Sequence, residues 1–362
     1  MVSKEEIGRA FFACGWIEAN GDRRLEDRLG VIGDRVEKIA IGERGYFFFT
    51  RPFYADIAEN EACTLIKLGY AHDGAQLISA WELLERGLVG PAGIKYDQIS
   101  GSASLFLFSK REPRLLIYRN LLSTFEIKYW SKFGHLVASD NLRLMRLLIP
   151  DMGLNQAVIP QHFIYRTVYG RQTYLQGADR LLAGEEILWE DGKLLVHQVS
   201  DLQKLSAAGD QRVVSAESVE WFMGIMNHVS GIYLEGLEKR SATMLSVGVD
   251  SSLIQSAINN HLGGKGVLPS FSFSVDSPSF AYEVEYASQA AKDLGTKHEF
   301  VKVTEGDYRQ NLVSAIQLLG QPLPDDVRPC FLALTGQIAR GWEAVQTLFH
   351  GQIADGLHGV GS

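Results

Sequence analysis

The sequence predicts two domains of different class, a sheet-dominated α+β half followed by an α/β half, and three observations carry that expectation. At 362 residues the chain is long for a single hydrophobic core. From Gly8 to about Gln198, short β-like runs are separated by Gly, Pro and charged turns; Tyr46-Phe47-Phe48-Phe49, Ser104-Leu105-Phe106-Leu107-Phe108 and Leu115-Leu116-Ile117-Tyr118 are examples. After about Ser215, strand and helix patterns alternate, as in a parallel sheet wrapped by helices. A polar stretch from Ser200-Asp201 through Asp210-Gln211 has the composition of a linker. The boundary is placed there, with domains at 1–199 and 200–362.

Composition narrows the function. With 46% hydrophobic and 22% charged residues the chain is an ordinary globular one. No apolar run approaches the ~20 residues that cross a bilayer, so no membrane partner is expected. The start, Met1-Val2-Ser3-Lys4-Glu5-Glu6, is acidic before its first apolar stretch and does not read as a secretion signal; a cytoplasmic location is expected. Cys14, Cys63 and Cys330 are odd in number and widely spaced, which argues for free thiols over disulfides or a Cys-x-x-Cys metal site. A net charge of −8 argues against a general nucleic-acid surface, which needs clustered Lys and Arg.

The most informative stretch is Ser246-Val247-Gly248-Val249-Asp250-Ser251-Ser252. Before it, Ala242-Thr243-Met244-Leu245 reads as a short buried strand; after it, Leu253, Ile254, Ala257 and Ile258 fall at helical spacing. The turn therefore opens a helix, whose unpaired N–H groups and positive dipole end favour an anion, with Ser246, Ser251 and Ser252 as further donors. Asp250 would repel phosphates directly, and its natural role is to hold a Mg²⁺ that bridges to them. The competing reading is an ordinary helix start, where Asp and Ser are favoured caps. Upstream, Ser215 can cap a helix with Phe222, Met226, Val229 and Tyr233 on one face. Gly263-Gly264-Lys265-Gly266 lacks P-loop spacing and follows a helix, so it reads as a connecting turn.

The 246–252 stretch resembles the Ser-Gly-Gly-x-Asp-Ser-Ser pyrophosphate loop of the ATP-pyrophosphatase superfamily, in its asparagine synthetase branch. Phe271-Ser272-Phe273-Ser274-Val275, Tyr282-Glu283-Val284-Glu285-Tyr286-Ala287 and Leu294-Gly295-Thr296-Lys297-His298-Glu299 are similar to that family's second strand, helix and third strand. Gln321-Pro322-Leu323-Pro324-Asp325-Asp326 resembles its acidic Glu-Pro-x-x-Asp loop. Gly351-Gln352-Ile353-Ala354-Asp355-Gly356-Leu357-His358-Gly359 resembles Gly-Glu-Gly-Ala-Asp-Glu-Leu-Phe-Gly.

The first half resembles the same family's class II glutamine amidotransferase domain, of the Ntn-hydrolase fold. The resemblance rests on Ser102 to Leu148, with Arg119-Asn120, Lys128-Tyr129-Trp130 and Val137-Ala138-Ser139-Asp140, and on the turn Leu181-Leu182-Ala183-Gly184-Glu185. It implies an αββα sandwich, followed by a parallel-sheet domain of the adenine nucleotide α-hydrolase-like kind. That family's nucleophile is an N-terminal Cys whose free α-amine is the base. Here position 2 is Val2, and the candidate is Cys14 in Ala13-Cys14-Gly15-Trp16-Ile17; a small buried thiol is the competing reading. Neither an Arg-Gly-Pro-Asp run nor a clear Asn-Gly turn is found, so glutamine hydrolysis is not expected. β-Lactam synthetases and lasso-peptide cyclases also resemble this family while lacking the Cys, and take their amine from the substrate.

The resemblance implies ATP-dependent amide formation: a carboxylate of a small molecule or peptide attacks the α-phosphorus, pyrophosphate leaves, and an amine or ammonia displaces AMP. It assigns the nucleotide to Leu245, Ser246, Val247, Gly248, Val249, Asp250, Ser251, Ser252, Val275, His350 and Gly351, with Leu245 and Val275 flanking the adenine, and Mg²⁺ to Asp250 and Asp355. Val247 stands at the loop's first Gly position, where a β-branched residue is costly if positive φ is required. Gln352 and Gly356 replace two acids, and His350 stands where Ser is common. The sequence ends at Ser362, where the family continues with a helical segment that acts at the adenylate. The second domain thus reads as truncated, with a homodimer or a partner supplying that segment among the expectations. A degenerate, non-catalytic scaffold is the alternative from a different class.

Overall fold

A computed structural model describes residues 10–19, 23–32, 36–201, 215–246, 248–263, 266–275, 277 and 280–351. They belong to two compact units, Met1–Gly209 with Ile316–Asp325, and Asp210–Ala315 with Asp326–Ser362. The linker expected at 200–211 lies, apart from its first two residues, outside the described residues. No described helix is long and apolar enough to cross a membrane.

In the first unit the apolar runs become strands covered on both faces. One antiparallel sheet runs Asp179–Arg180, Lys128–Lys132, His135–Ser139, Ala13–Glu18, Gly45–Thr50, Val36–Ile41 in spatial order. A second runs Lys193–Gln198, Glu185–Glu190, Arg114–Arg119, Ser100–Ser109, Cys63–His72, Ala55–Glu59, with Leu77–Ile78 paired to Cys63–His72. Alternation along each strand assigns its side chains to different layers. Phe12, Cys14, Trp16, Phe47 and Phe49 of the first sheet share a core with Ile66, Leu68, Phe106, Phe108, Ile117 and Trp189 of the second. The intervening Ala13, Ile17 and Phe48 face the helices Arg23–Ile32 and Leu142–Leu148 through Leu25, Leu29, Leu144 and Leu148. Behind the second sheet, Leu65, Leu105, Leu107 and Leu116 meet Ala80 and Leu83 of the helix Ala80–Glu85. The layers are thus helix, sheet, sheet, helix, the αββα order that the Ntn-hydrolase resemblance implies. Because both faces of the central strands are buried, they read as unbroken apolar runs.

Caps fix where the flanking helices begin. Ser79 and Glu82 form a reciprocal capping box at Ala80–Glu85, and the Asn141 side chain accepts from the N–H groups of Arg143 and Leu144.

The second unit holds a four-stranded parallel sheet in the order His298–Val303, Ser270–Val275, Ser241–Met244, Thr347–Phe349. The helix Ala216–Leu234 precedes the first strand and starts at Ser215 in a capping box with Ser218. Phe222, Met226, Val229 and Tyr233 are half-buried, and the fully buried part is the last turns, at Ser230, Gly231, Ile232 and Leu234. A Cβ on Gly231 would stand 2.5 Å from the exposed His261 ring on the next helix, so a larger residue there would displace that side chain. That helix, Val249–Leu262, packs Ile258 and Leu262 with Leu234 and Leu268 on one side of the sheet. On the other, Cys330, Leu334 and Ile338 of Arg328–Gly341 cover Ala242, Phe271, Val301 and Val303. The helix Ala281–Asp293 follows Ser270–Val275, and Glu305–Leu319 follows His298–Val303.

A buried polar chain ties Val249–Leu262 to its neighbours. Gln255, fully enclosed, accepts from the Thr243 hydroxyl and donates to Asn259 Oδ1 (2.9 Å), whose Nδ2 donates to the Leu294 carbonyl (2.9 Å). Every partner is satisfied within the chain, which fixes the helix in register where apolar packing alone would let it slide. Gly263 ends the helix in the left-handed conformation, φ 56°, as expected of a connecting turn; Gly264 and Lys265 lie outside the described residues.

Trp189 lies at the centre of the sandwich, 5.4 Å from Trp16 and 6.0 Å from Phe47 between ring centroids, and its indole N–H has no acceptor among the described residues. Trp189→Ala is expected to destabilise the first unit by roughly 3–5 kcal/mol. Trp189→Phe should cost clearly less, because it removes an unpaired N–H along with part of the ring. Urea denaturation of both variants, followed by tryptophan fluorescence and circular dichroism, tests this.

Candidate functional site

The strand order of the second unit dictates where a ligand can enter. The first strand in sequence, Ser241–Met244, has the second, Ser270–Val275, on one side and the last, Thr347–Phe349, on the other. Between the first and last strands the order of the sheet reverses. In an open parallel sheet the segments leaving two such strands diverge, and a crevice opens beyond their carboxyl ends. A cavity of about 280 Å³ lies there.

One wall is the turn after Ser241–Met244. Leu245 extends the ladder, its N–H donating to the Phe271 carbonyl (3.0 Å) and its carbonyl accepting from the Ser272 hydroxyl. The chain then folds on itself through hydroxyls. Ser246 N–H donates to Ser251 Oγ (3.0 Å), Gly248 N–H donates to Ser246 Oγ (3.1 Å), and Ser251 Oγ donates to the Gly248 carbonyl (2.9 Å). Gly248 is the N-cap of Val249–Leu262 and supplies no capping side chain. The first-turn N–H groups therefore keep their capacity for an external acceptor, at the positive end of the helix dipole. Ser246, Gly248, Asp250 and Ser251 line the cavity.

The opposite wall is His350 and Gly351, carried by Thr347–Phe349. A Cβ on Gly351 would stand 2.8 Å from Asp250 Cβ and 2.9 Å from Ser251 N. Only glycine lets the two segments approach so closely, since the atoms in the way belong largely to the first turn of the helix. Partial desolvation, reinforced by the charge of Arg328, holds the His350 imidazole below its ordinary pKa. The ring is thus biased to the neutral form at neutral pH.

The remaining lining is largely aromatic: Phe271 and Phe273, Phe300, and Phe331, which meets Phe273 edge to face at 5.6 Å. Ala287 and the carboxylate of Glu283, both from Ala281–Asp293, complete it. Phe271 and Phe273 share a face of their strand by period-two alternation, and this was the one legible signal for the aromatic wall. Phe300 and Phe331 reach it from a neighbouring strand and a later helix, which sequence spacing does not reveal.

Of the residues assigned from sequence, Leu245, Ser246, Gly248, Asp250, Ser251, His350 and Gly351 are brought together around this cavity. Three others are not in its lining. Val249 is 81% exposed, Ser252 returns its hydroxyl to the Gly248 carbonyl (3.3 Å), and Val275 packs on the core of Phe271 and Val301. The helical turn rotates the first two away, and the apolar lining is supplied by the phenylalanines instead of Val275. Val247, Gln352, Asp355 and Gly356 lie outside the described residues. No group of three or more His, Cys, Asp or Glu converges among the described residues. Among the described residues, the lining carries the carboxylates of Asp250 and Glu283.

The candidate nucleophile of the first unit lies elsewhere. Cys14 is fully buried between its neighbours Phe49 and Ala138 in the first sheet. Desolvation, with a smaller contribution from the Asp140 carboxylate, pushes its thiol well up, the opposite of what a nucleophile needs. Just before it, Phe12 N–H donates to Asp140 Oδ1 (3.0 Å) and to the Tyr54 hydroxyl (3.1 Å), and that hydroxyl donates to Asp140 Oδ2. Cys14 is a core thiol, and the catalytic assignment is set aside on that ground.

Strand order and the helices on both faces define the second unit as a doubly wound α/β domain. Residues 238–360 match the family model for asparagine synthase, and this part of the chain is an asparagine synthase domain. No curated protein matches the chain. Among solved structures, one described as the allosteric regulatory enzyme of purine biosynthesis aligns at 10% identity over 99% of this chain and 87% of its own, with a TM-score of 0.31. A glutamine phosphoribosylpyrophosphate amidotransferase from B. subtilis, complexed with ADP and GMP, aligns at 9% identity over 99% and 88%, with a TM-score of 0.28. At those scores the two define neither the fold nor the activity of this chain.

Gly351→Ala is expected to weaken pyrophosphate binding at least tenfold, because the added methyl must displace the first helical turn; titration calorimetry beside a thermal melt separates this from unfolding. Cys14, Cys63 and Cys330 are all buried. None should react with an aromatic disulfide reagent within minutes in the native protein, and all three should react in denaturant.

Proposed function

We propose that the chain is an ATP-dependent amide ligase that activates a carboxylate by adenylation. The observation that carries this reading is one cavity, in an asparagine synthase domain, that joins an uncapped helix N-terminus to an aromatic pocket. The two halves suit the two halves of a nucleotide. Phenylalanine faces suit a planar base, and about 280 Å³ is near the lower end of ligand pockets, sufficient for the nucleoside part. The N–H groups around Gly248 to Ser252, with the Ser246 and Ser251 hydroxyls, suit the phosphates.

The charge balance supports a divalent cation. No Lys or Arg is among the lining residues, and the lining already carries the carboxylates of Asp250 and Glu283. Among the described lining residues, a polyphosphate would meet these carboxylates, and a divalent cation would relieve that repulsion. Asp250, with Asp355, would hold Mg²⁺, and the ion would supply charge neutralisation for the pyrophosphate leaving group. The chain's own contribution is positional. Backbone N–H groups fixed by the helix are aimed where leaving-group charge develops, and they need no reorganisation as it does. The neutral His350 adds no positive charge at that wall and remains able to accept a proton.

Glutamine does not supply the amine by way of Cys14, given its burial and raised pKa. That observation favours a second reading within the same chemistry, in which the amine belongs to the substrate, as in the β-lactam synthetases and lasso-peptide cyclases that the chain resembles.

Asp250→Ala should reduce Mg·ATP affinity by at least tenfold while changing stability by about 1 kcal/mol or less, the scale of a helix-dipole contact. Calorimetry on the 362-residue chain reads both. Equal affinity in the variant would refute the metal assignment, and no ATP binding by the wild type would favour the non-catalytic scaffold.

A further inference from the structure

Besides Asp250, the described residues bring one other carboxylate to the cavity, and the reading above gives it no role. Glu283 stands in the first turn of Ala281–Asp293, half-buried, and lines the cavity with Ala287 and the phenylalanines. It carries no ion pair among the described residues; its recorded polar contact is the Tyr282 hydroxyl, which donates to Oε1 at 3.3 Å. A carboxylate in an otherwise apolar wall is costly unless something donates to it. One carboxylate oxygen therefore keeps acceptor capacity toward the cavity.

Its charge restricts what it can face. A carboxylate can face the phosphate end of a nucleotide only through a cation, the role already given to Asp250 beside the Gly248–Ser252 turn, whereas the neutral nucleoside end carries donors, the exocyclic amine of the base and the ribose hydroxyls. With the phosphates on the Gly248–Ser252 turn, Glu283 is left for the nucleoside end. We propose that Glu283 is the specificity-determining acceptor of the pocket, taking a hydrogen bond from a neutral donor of the nucleoside. This rests on the nucleotide reading of the same cavity. The phenylalanines recognise any planar base, since every base has an apolar face. Discrimination then falls to a group that requires a donor: a site built to hydrogen-bond rejects an analogue lacking the partner far more strongly than an apolar site can.

The test is titration calorimetry of the full chain with Mg·ATP, Mg·ITP, Mg·2′-deoxy-ATP and Mg·pyrophosphate, for the wild type, Glu283→Ala and Glu283→Gln. ITP replaces the exocyclic amine with a carbonyl, and 2′-deoxy-ATP removes one ribose donor. Glu283→Ala is expected to weaken ATP about tenfold or more, the scale of a hydrogen bond to a charged group, and to leave pyrophosphate unchanged. Glu283→Gln, which keeps a carbonyl acceptor, should recover part of that loss, whereas a merely structural role predicts parallel losses for ATP and pyrophosphate. The analogue that the wild type disfavours and Glu283→Ala no longer distinguishes from ATP identifies the donor. ATP affinity unchanged in Glu283→Ala, or a parallel loss of pyrophosphate, overturns this assignment alone. A wild type that binds neither ATP nor pyrophosphate overturns the nucleotide reading and this assignment with it.

Discussion

The parallel pairing of Ser241–Met244 with Thr347–Phe349 is the contact on which the site depends. Its register, Ser241 with Thr347, Ala242 with Leu348 and Thr243 with Phe349, brings His350 and Gly351 beside the turn at 245–251. The pair spans a sequence separation of about a hundred residues, so neither wall of the cavity exists until the long-range contact has formed. Gly351 turns that pairing into a site. Any larger residue there would push against the first turn of Val249–Leu262 and misdirect the N–H groups that the turn presents. The buried Thr243, Gln255, Asn259 chain holds the same helix from the other end, so its start is positioned by the sheet on both sides.

Electrostatics then decide what the cavity accepts. Its walls offer partial positive charge from the helix start, two carboxylates, a histidine biased to neutrality and four phenylalanines. Such a lining favours a ligand with an anionic end, a planar end, and a cation shared with Asp250. A simple anion has nothing to stack on the aromatic wall, and a simple apolar ligand leaves the helix start unpaired. On the proposed nucleotide reading, each half of the site raises the selectivity of the other, with Glu283 placed at the nucleoside end.

Legibility followed the range of the interactions. The strand end at Met244 and the helix start at Val249 were readable because they and the hydroxylic residues between them are adjacent in sequence. The alternating strands and helices of the second half were readable for the same reason, as was the sheet-dominated character of the first half, whose doubly buried strands appear as apolar runs, while its sandwich layering came from the family resemblance. The aromatic wall was not: Phe300 and Phe331 are indistinguishable from core residues until the sheet order is known. Val275 shares its strand face with Phe271 and Phe273 but ends the strand, and it packs against the core of Phe271 and Val301 without entering the cavity lining. Helical rotation likewise separates Val249 and Ser252 from Asp250 and Ser251, although all four share one motif.

The first unit is an αββα sandwich with the Cys14 thiol buried in its core, and its hydrogen bonds explain why removal of the preceding residues would not make that thiol a nucleophile. Freeing an α-amine at Cys14 requires cutting after Ala13. The lost segment would include the Phe12 N–H bonds to Asp140 and Tyr54, the Ser139 hydroxyl bond to the Phe12 carbonyl and the Thr50 hydroxyl bond to the Phe11 carbonyl. It would also remove the Phe12 ring, packed 4.5 Å from Phe106 in the core. Asp140, already pushed up to about 6 by burial, would lose a donor that favours its charged form. The contacts that seat the strand are made by the residues a processing event would discard, so exposing the thiol and keeping the strand in place are opposed.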